Sequence, residues 1–164
     1  MLFICRRQNY SPMFYNILLH AHSGLRWVVL ILLLAAIVTS FRKWQAHDEY
    51  LPGDNKLYLF ALIATHTQFL IGLILYFISP KVPLGTGVDF GSIMRDSFSR
   101  FYTVEHLVGM LIAVVLITIG RSKSRRLSGP IQKHRTVFIF FGLGLIVILA
   151  SIPWPSRIPG AGWF

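Results

Sequence analysis

The sequence predicts an all-α integral membrane protein, a four-helix bundle with up-down-up-down topology. The chain has 164 residues, of which 54% are hydrophobic and only 13% are charged. Its apolar residues fall in four blocks, each near or above the roughly 18 to 20 residues that a helix needs to cross a bilayer. An ordinary soluble domain carries about twice this fraction of charged residues.

The four blocks define the predicted spans of one domain. We expect transmembrane helices at about residues 15–41, 56–79, 98–120 and 134–152, in a single domain covering 15–164. Residues 1–14 are predicted to be an N-terminal tail. The connections contain Pro and Gly residues, which favour turns. In the stretch 80–97 the hydrophobic residues do not recur at the period of a helix. Short connections favour antiparallel neighbours, so the first and third spans are expected to lie diagonally across the bundle.

Basic residues predict the orientation of the bundle. The chain has a net charge of +10, with six basic residues and no acidic one between positions 121 and 135. Cytoplasmic connections of membrane proteins are enriched in Lys and Arg, so both termini are expected on the periplasmic side of a bacterial inner membrane. No nucleic-acid-binding module accompanies the charge, and the expected partner of the basic tract is the bilayer surface.

Several chemistries are absent from the sequence. Cys5 is the only cysteine, which excludes an intrachain disulfide, a Cys-ligated iron–sulfur cluster and a CxxCH haem attachment. No catalytic nucleophile motif or phosphate-binding loop is present. The candidate functional residues are therefore the histidines.

Three of the six histidines have ordinary interpretations. His47 lies among loop charges and is expected to be solvated, His20 is expected at headgroup level, and His134 is expected at the interface. The other three, His22, His66 and His106, lie within predicted spans. Ionisable residues inside a membrane are costly, and they mark functional sites.

Depth and topology bring two of these residues together. Counting the helix rise places His22 and His106 both roughly 8 to 12 Å below the outer surface, on diagonal spans. Two such imidazoles can face each other across the bundle core, as the two axial ligands of a haem do. The sequence therefore predicts a haem b site, with His66, near the bilayer midplane, as the alternative ligand.

Neighbouring residues supply candidate partners for the haem. Arg26 lies one turn after His22 on the same face, where it can pair with Glu105 or with a propionate. Arg95 and Arg100 are further candidates for the propionates. Gly109 follows His106 by three residues, and a glycine there would let a macrocycle approach the backbone.

A bare metal ion is the rival interpretation of the same histidines. Zinc or copper on His20, His22 and His106 would require local unwinding, because residues at a His-x-His spacing do not share a helical face. No Cys or HExxH motif supports such a site.

The chain also resembles a known family along the motifs that carry these residues. They are His22-Ser23-Gly24-Leu25-Arg26-Trp27, His66 with Gln68 and Gly72, Glu105-His106, and Lys133-His134-Arg135. From about Tyr15 to Phe164 the chain is similar to the small four-helix membrane proteins of Bacteroidota labelled cytochrome B. The resemblance implies a membrane b-type cytochrome in a respiratory setting.

The number of haems follows from the depths of the histidines. Di-haem cytochromes b use four histidines on four helices, and this chain also has one on each predicted span. His134, however, is shallower than His66 by roughly 10 Å on helix-rise counting. One haem is therefore expected rather than two.

Two functional hypotheses follow from the sequence. In the first, a haem b carries electrons between quinol and other respiratory components, with His66 and Glu105 available to a quinone or to protons. In the second, the protein is an accessory subunit of a larger respiratory complex without a cofactor, and its histidines hydrogen-bond neighbouring helices. A transporter is disfavoured, since no repeat of broken helices is visible.

Overall fold

A computed structural model describes residues 11–84 and 86–154, and the secondary structure in these ranges is entirely helical. The helices are α1 (Pro12–Ala46), α2 (Pro52–Ile78), α3 (Phe90–Arg95), α4 (Ser97–Arg100), α5 (His106–Arg126) and α6 (Pro130–Ser151). A π-helical turn, Phe101–Glu105, joins α4 to α5, so that Ser97–Arg126 forms one continuous span.

Four of these helical segments are long and apolar enough to cross a membrane: α1, α2, the α4–α5 span and α6. Large apolar side chains point away from the bundle, with Ile31 66%, Phe77 76% and Ile146 64% exposed. A soluble protein does not expose large apolar side chains over its whole circumference. The predicted all-α, four-helix membrane bundle is therefore confirmed.

The observed helices extend beyond most of the predicted boundaries. α1 begins at Pro12, inside the predicted tail, because Ser11 caps it by accepting a hydrogen bond from the Phe14 amide at 3.3 Å. α5 continues to Arg126, six residues into the stretch that the sequence assigned to a loop. Lys and Arg are good helix formers, so a helix does not end where its apolar stretch ends.

The connection between α2 and the third span also differs from expectation. The stretch 80–97, predicted to lack helical structure, contains the short helix α3. Asp89 caps it by accepting a hydrogen bond from the Ser92 amide at 3.1 Å. A helix of six residues is too short to show a repeat of hydrophobic residues at the helical period.

The packing order places α1 opposite the third span. α1 packs against α2 and α6, and α5 packs against α6 and α2. The diagonal pairs are therefore α1 with α5 and α2 with α6, as expected for up-down-up-down topology. Buried residues of all four spans form one core.

Small residues allow α5 and α6 to approach closely. A Cβ atom added to Gly144 would lie 2.7 Å from Cγ1 of Ile117, which is fully buried. A Cβ atom on Gly142, half a turn away, would meet nothing within 4 Å. Close backbone approach at small residues is a main source of helix association in bilayers.

This difference between the two glycines gives a matched test of the packing. We expect Gly144→Ala to lower the free energy of unfolding by about 1–3 kcal/mol, because the core around Ile117 cannot absorb a methyl group. Gly142→Ala should be neutral, or stabilising by up to about 1 kcal/mol, through helix propensity. Thermal unfolding in detergent measures both, and equal effects would contradict the packing described here.

A polar cluster fills the end of the bundle at which α1 ends (Ala46) and α2 begins (Pro52). We call this end of the bundle the basic end. His134 is fully buried there; its Nε2 donates to the Glu49 carbonyl at 3.4 Å, and its Nδ1 accepts from the Tyr58 hydroxyl at 3.0 Å. The ring is therefore enclosed by protein, and the expectation that His134 lies at the level of the membrane interface stays a prediction. Its ring is enclosed because α6 begins four residues earlier, at Pro130, and carries His134 into the core.

Charged side chains are also enclosed at the basic end. Lys43 Nζ pairs with Asp54 Oδ2 at 2.7 Å, and the same carboxylate accepts from the Leu51 amide at 2.8 Å. Arg121 is only 4% exposed and donates to the side chain of Asn55. Burial raises the pKa of Tyr50 beside it, so this hydroxyl stays neutral.

Removing the buried imidazole tests this cluster. His134→Ala leaves the buried Tyr58 hydroxyl without its acceptor, and we expect the free energy of unfolding to fall by about 1–3 kcal/mol. His20→Ala, at an exposed position of α1, is the control and should change it by less than about 0.5 kcal/mol. Denaturation of both variants in the same detergent compares them; a harmless His134→Ala would mean that the cluster does not stabilise the bundle.

Candidate functional site

A cavity of about 190 Å³ lies between the four helices at the end opposite the basic end. It is somewhat larger than the volume of about 150 Å³ that holds benzene in an engineered protein core, so it has room for a single six-membered ring. Its walls come from the first half of α1, the second half of α2, the start of the third span and the end of α6. The apolar part of the wall includes Leu19, Val29, Phe69, Leu107, Met110 and Ile148.

His22, Arg26 and His106 all line this cavity. His22 lies ten residues after the start of α1 and His106 nine residues after the start of the third span, which is roughly 15 Å and 14 Å along parallel helices. The two imidazoles therefore reach the same cavity from diagonal helices, at similar distances from the starts of those helices.

A hydrogen bond across the bundle holds the His106 ring. Its Nδ1 lies 2.7 Å from the Ser151 carbonyl oxygen at the end of α6. A carbonyl only accepts, so Nδ1 carries the proton, and the lone pair of the neutral ring is on Nε2. This tautomer is the one in which a histidine binds a metal through Nε2.

The His22 ring is held by packing instead. It lies against Gly72 of α2, where an added Cβ would come within 2.8 Å of the ring's Cε1 atom. Gln68 of α2 donates from Nε2 to the His22 backbone carbonyl at 2.8 Å. The buried atoms His22 Nδ1 and Gln68 Oε1 have no hydrogen-bond partner among the described residues.

The cavity carries positive charge. Arg26 and Lys81 both line it, and none of the described lining residues is acidic. Arg26 lies over the Trp27 ring at 5.5 Å, and Lys81 lies over the Tyr102 ring at 5.0 Å. Such a cavity favours a ligand that is mostly apolar and carries anionic groups at its edge.

The structure does not bring His66 or Glu105 to this cavity. His66 donates from Nδ1 to the Leu62 carbonyl at 2.9 Å, and its Nε2 lies 3.3 Å from the Thr118 hydroxyl, between α2 and α5. Glu105 is exposed and pairs with Arg100 at 2.7 Å rather than with Arg26. The π-helical turn that ends at Glu105 directs this carboxylate away from the bundle while His106 faces inward.

Three other expected partners also lie elsewhere. Arg95 is exposed and donates to Ser92, and Arg100 donates to the Met94 carbonyl as well as to Glu105. Gly109 makes room for α6, since a Cβ atom there would overlap the Ser151 side chain. The glycine therefore permits helix packing rather than the approach of a macrocycle.

Sequence reasoning missed three groups at the cavity. Gln68 is a polar residue inside an apolar span, a signal that could have marked it as a cavity residue. Lys81 follows α2 by three residues and could have been considered with the arginines. The Ser151 carbonyl belongs to the backbone, and no residue pattern predicts that it contacts His106.

The described residues contain no group of three or more His, Cys, Asp or Glu side chains placed to hold a metal ion. His20, required by the bare-metal interpretation, is exposed. Fold and site together define a four-span membrane bundle with two histidines at one cavity. Comparison with protein-family models, curated proteins and solved structures finds no match to this chain.

Proposed function

We propose that this protein is a membrane b-type cytochrome that holds one haem b through His22 and His106. The observation that carries the proposal is that these two residues, on diagonal helices, line the same cavity beside Arg26 and Lys81. In a bis-histidine site, a haem takes one nitrogen ligand from each side, with apolar walls around the ring and cations at the propionates.

The residues at the cavity fit this group on three counts. The His106 tautomer leaves Nε2 available to iron. Buried polar atoms of His22 and Gln68 at the cavity lack partners among the described residues, and a bound ligand could supply them. Both cations face a cavity without an acidic neighbour in the described part of its lining.

Each residue has a defined task in this proposal. His22 and His106 would hold the iron, and Arg26 and Lys81 would bind the propionates. The apolar walls, among them Val29 and Met110, would exclude water. A bound haem supplies one-electron transfer, at a potential set by its axial ligands and by the polarity around it. The reaction supported best is electron exchange with quinol or another respiratory component.

His66 and Glu105 have other tasks in this proposal. His66 joins α2 to α5 through Thr118, away from the cavity, so the proposal assigns it no iron ligand role. Glu105 and its partner Arg100 lie at the exposed start of the third span, where a redox partner can reach them. Other respiratory subunits are the proposed partners.

Optical spectra of the purified protein test the proposal. Expression with added haem should give the reduced-minus-oxidised α band of a b haem. We expect the double variant His22→Ala/His106→Ala to lose this band, because both iron ligands are removed.

Two single variants are the controls for this experiment. His20→Ala removes an exposed imidazole two residues from His22, and His66→Ala removes the imidazole outside the cavity. Both should keep the haem content of the original protein. Loss of haem in His66→Ala alone would assign the ligand to α2 and overturn the pair, and absence of the α band in the original protein would overturn the cytochrome.

A cofactor-free accessory subunit is the second candidate. The observation that favours it is that His66 and His134 both hydrogen-bond neighbouring helices, as that hypothesis expects of every histidine. The same spectra separate the two candidates, because an accessory subunit would co-purify with a complex and contribute no haem of its own.

The proposed location is a bacterial inner membrane, with the basic end in the cytoplasm and both termini outside. Single cysteines introduced into a Cys5→Ser background test the orientation. Ser128→Cys, in the turn after α5, should react with a membrane-impermeant maleimide only after cell lysis. Thr86→Cys, at the cavity end, should react in intact cells. The reverse pattern would show the opposite orientation.

A further inference from the structure

The two histidines of the cavity are supported differently. His106 is anchored through its Nδ1–H to the Ser151 carbonyl at 2.7 Å, and its ring also packs against Phe101 at 6.0 Å between centroids. The buried Nδ1 of His22 has no hydrogen-bond partner among the described residues. One imidazole is fixed in tautomer and orientation by a hydrogen bond, whereas the other packs against Gly72 and its Nδ1 has no such bond within the described chain.

The backbone around His106 explains this asymmetry. Gly109, three residues along the same face of α5, allows the end of α6 to come so close that an added Cβ would overlap Ser151. This approach brings the Ser151 carbonyl to the imidazole. A π-helical turn directly precedes His106, and such turns occur frequently at functional sites.

The asymmetry has a direct consequence for metal binding. A histidine that binds iron through Nε2 must keep its proton on Nδ1, and that N–H needs an acceptor when it is buried. His106 has this acceptor, whereas ligation by His22 through Nε2 leaves a buried N–H without one. Loss of such an outer partner typically weakens metal binding 10- to 100-fold.

We propose that His106 is the permanent iron ligand and His22 a displaceable one, so that the site also binds a small neutral diatomic molecule. This inference rests on the proposed function. If haem binds, His22 would give up its place at the iron to the diatomic, which exchanges one neutral ligand for another without transfer of electrons or protons. Apolar neighbours such as Val29 and Met110 favour a neutral ligand over a hydrated one.

Carbon monoxide is the probe for this exchange. The dithionite-reduced, haem-loaded protein should give a CO difference spectrum. His22→Ala should keep most of its haem and bind CO at least tenfold more tightly, because no internal ligand competes. His106→Ala should lose haem at least tenfold, and His20→Ala should match the original protein in both measurements.

The outcomes separate this inference from the proposed function. A protein that carries a b haem but gives no CO spectrum, or that loses haem equally in His22→Ala and His106→Ala, overturns the inference and leaves the cytochrome intact. A protein without haem overturns both.

A measurement on the haem-free protein checks the structural cause. In ¹⁵N spectra of histidine-labelled protein in detergent, His106 should show a neutral ring protonated at Nδ1 with slow proton exchange, and His22 should show faster exchange. Gly109→Ala should remove the protection of His106, whereas Gly24→Ala, where an added Cβ meets nothing within 4 Å, should not. Equal protection of both rings in the original protein would overturn the inference.

Discussion

The hydrocarbon core of a bilayer offers no hydrogen-bond partners, and the arrangement of this protein follows from that constraint. Backbone groups satisfy it by forming helices. Polar side chains inside the spans satisfy it by reaching another helix. His134 meets Tyr58, His66 meets Thr118, and Gln68 meets the His22 carbonyl. The His106–Ser151 bond is of the same kind and joins the two helices that line one side of the cavity.

Both ends of the bundle satisfy the constraint only in part, since Arg121 Nε and Ser124 Oγ at the basic end are also buried without a hydrogen-bond partner among the described residues. At the basic end, Lys43 pairs with Asp54, and the buried His134 has a partner for each ring nitrogen. The cavity end keeps buried atoms of His22 and Gln68 without partners in the described chain. Stable proteins leave few such atoms, and each one calls for a specific explanation, such as an ordered water, an ion or a ligand. Both ends of the bundle have such atoms, and those of the cavity end differ in that His22 and Gln68 line a cavity.

Glycine has two different uses at the cavity. Gly72 leaves space for the His22 ring, and Gly109 leaves space for the end of α6. In both cases the absence of a side chain sets the position of an imidazole: Gly72 lets the His22 ring pack against α2, and Gly109 lets the Ser151 carbonyl reach His106. Neither glycine makes room for a ligand. A cavity built in this way depends on contacts between helices, so its geometry is sensitive to changes that touch no functional group.

Much of the fold could be predicted from the sequence, because hydrophobic length is a local property. The four spans, the diagonal placement of α1 and α5 and the presence of His22, Arg26 and His106 on inward faces all follow from counting along helices. The helix ends were less predictable, since α1 and α5 continue into charged residues that also favour helix. The short helix α3 depends on one capping carboxylate, which leaves no periodic signal.

Partners across the bundle were decided by the tertiary structure alone. The sequence suggested Glu105 as a partner of Arg26, but in the structure Glu105 pairs with Arg100. No sequence pattern indicated that the His134 ring would be enclosed between helices, as it is near the start of α6. The sequence by itself determined a four-span membrane bundle with histidines inside, because spacing along one helix sets depth and face. Only the packed structure decided which histidines share a cavity and how each is held, because these depend on helix rotation and on backbone carbonyls that carry no sequence signal.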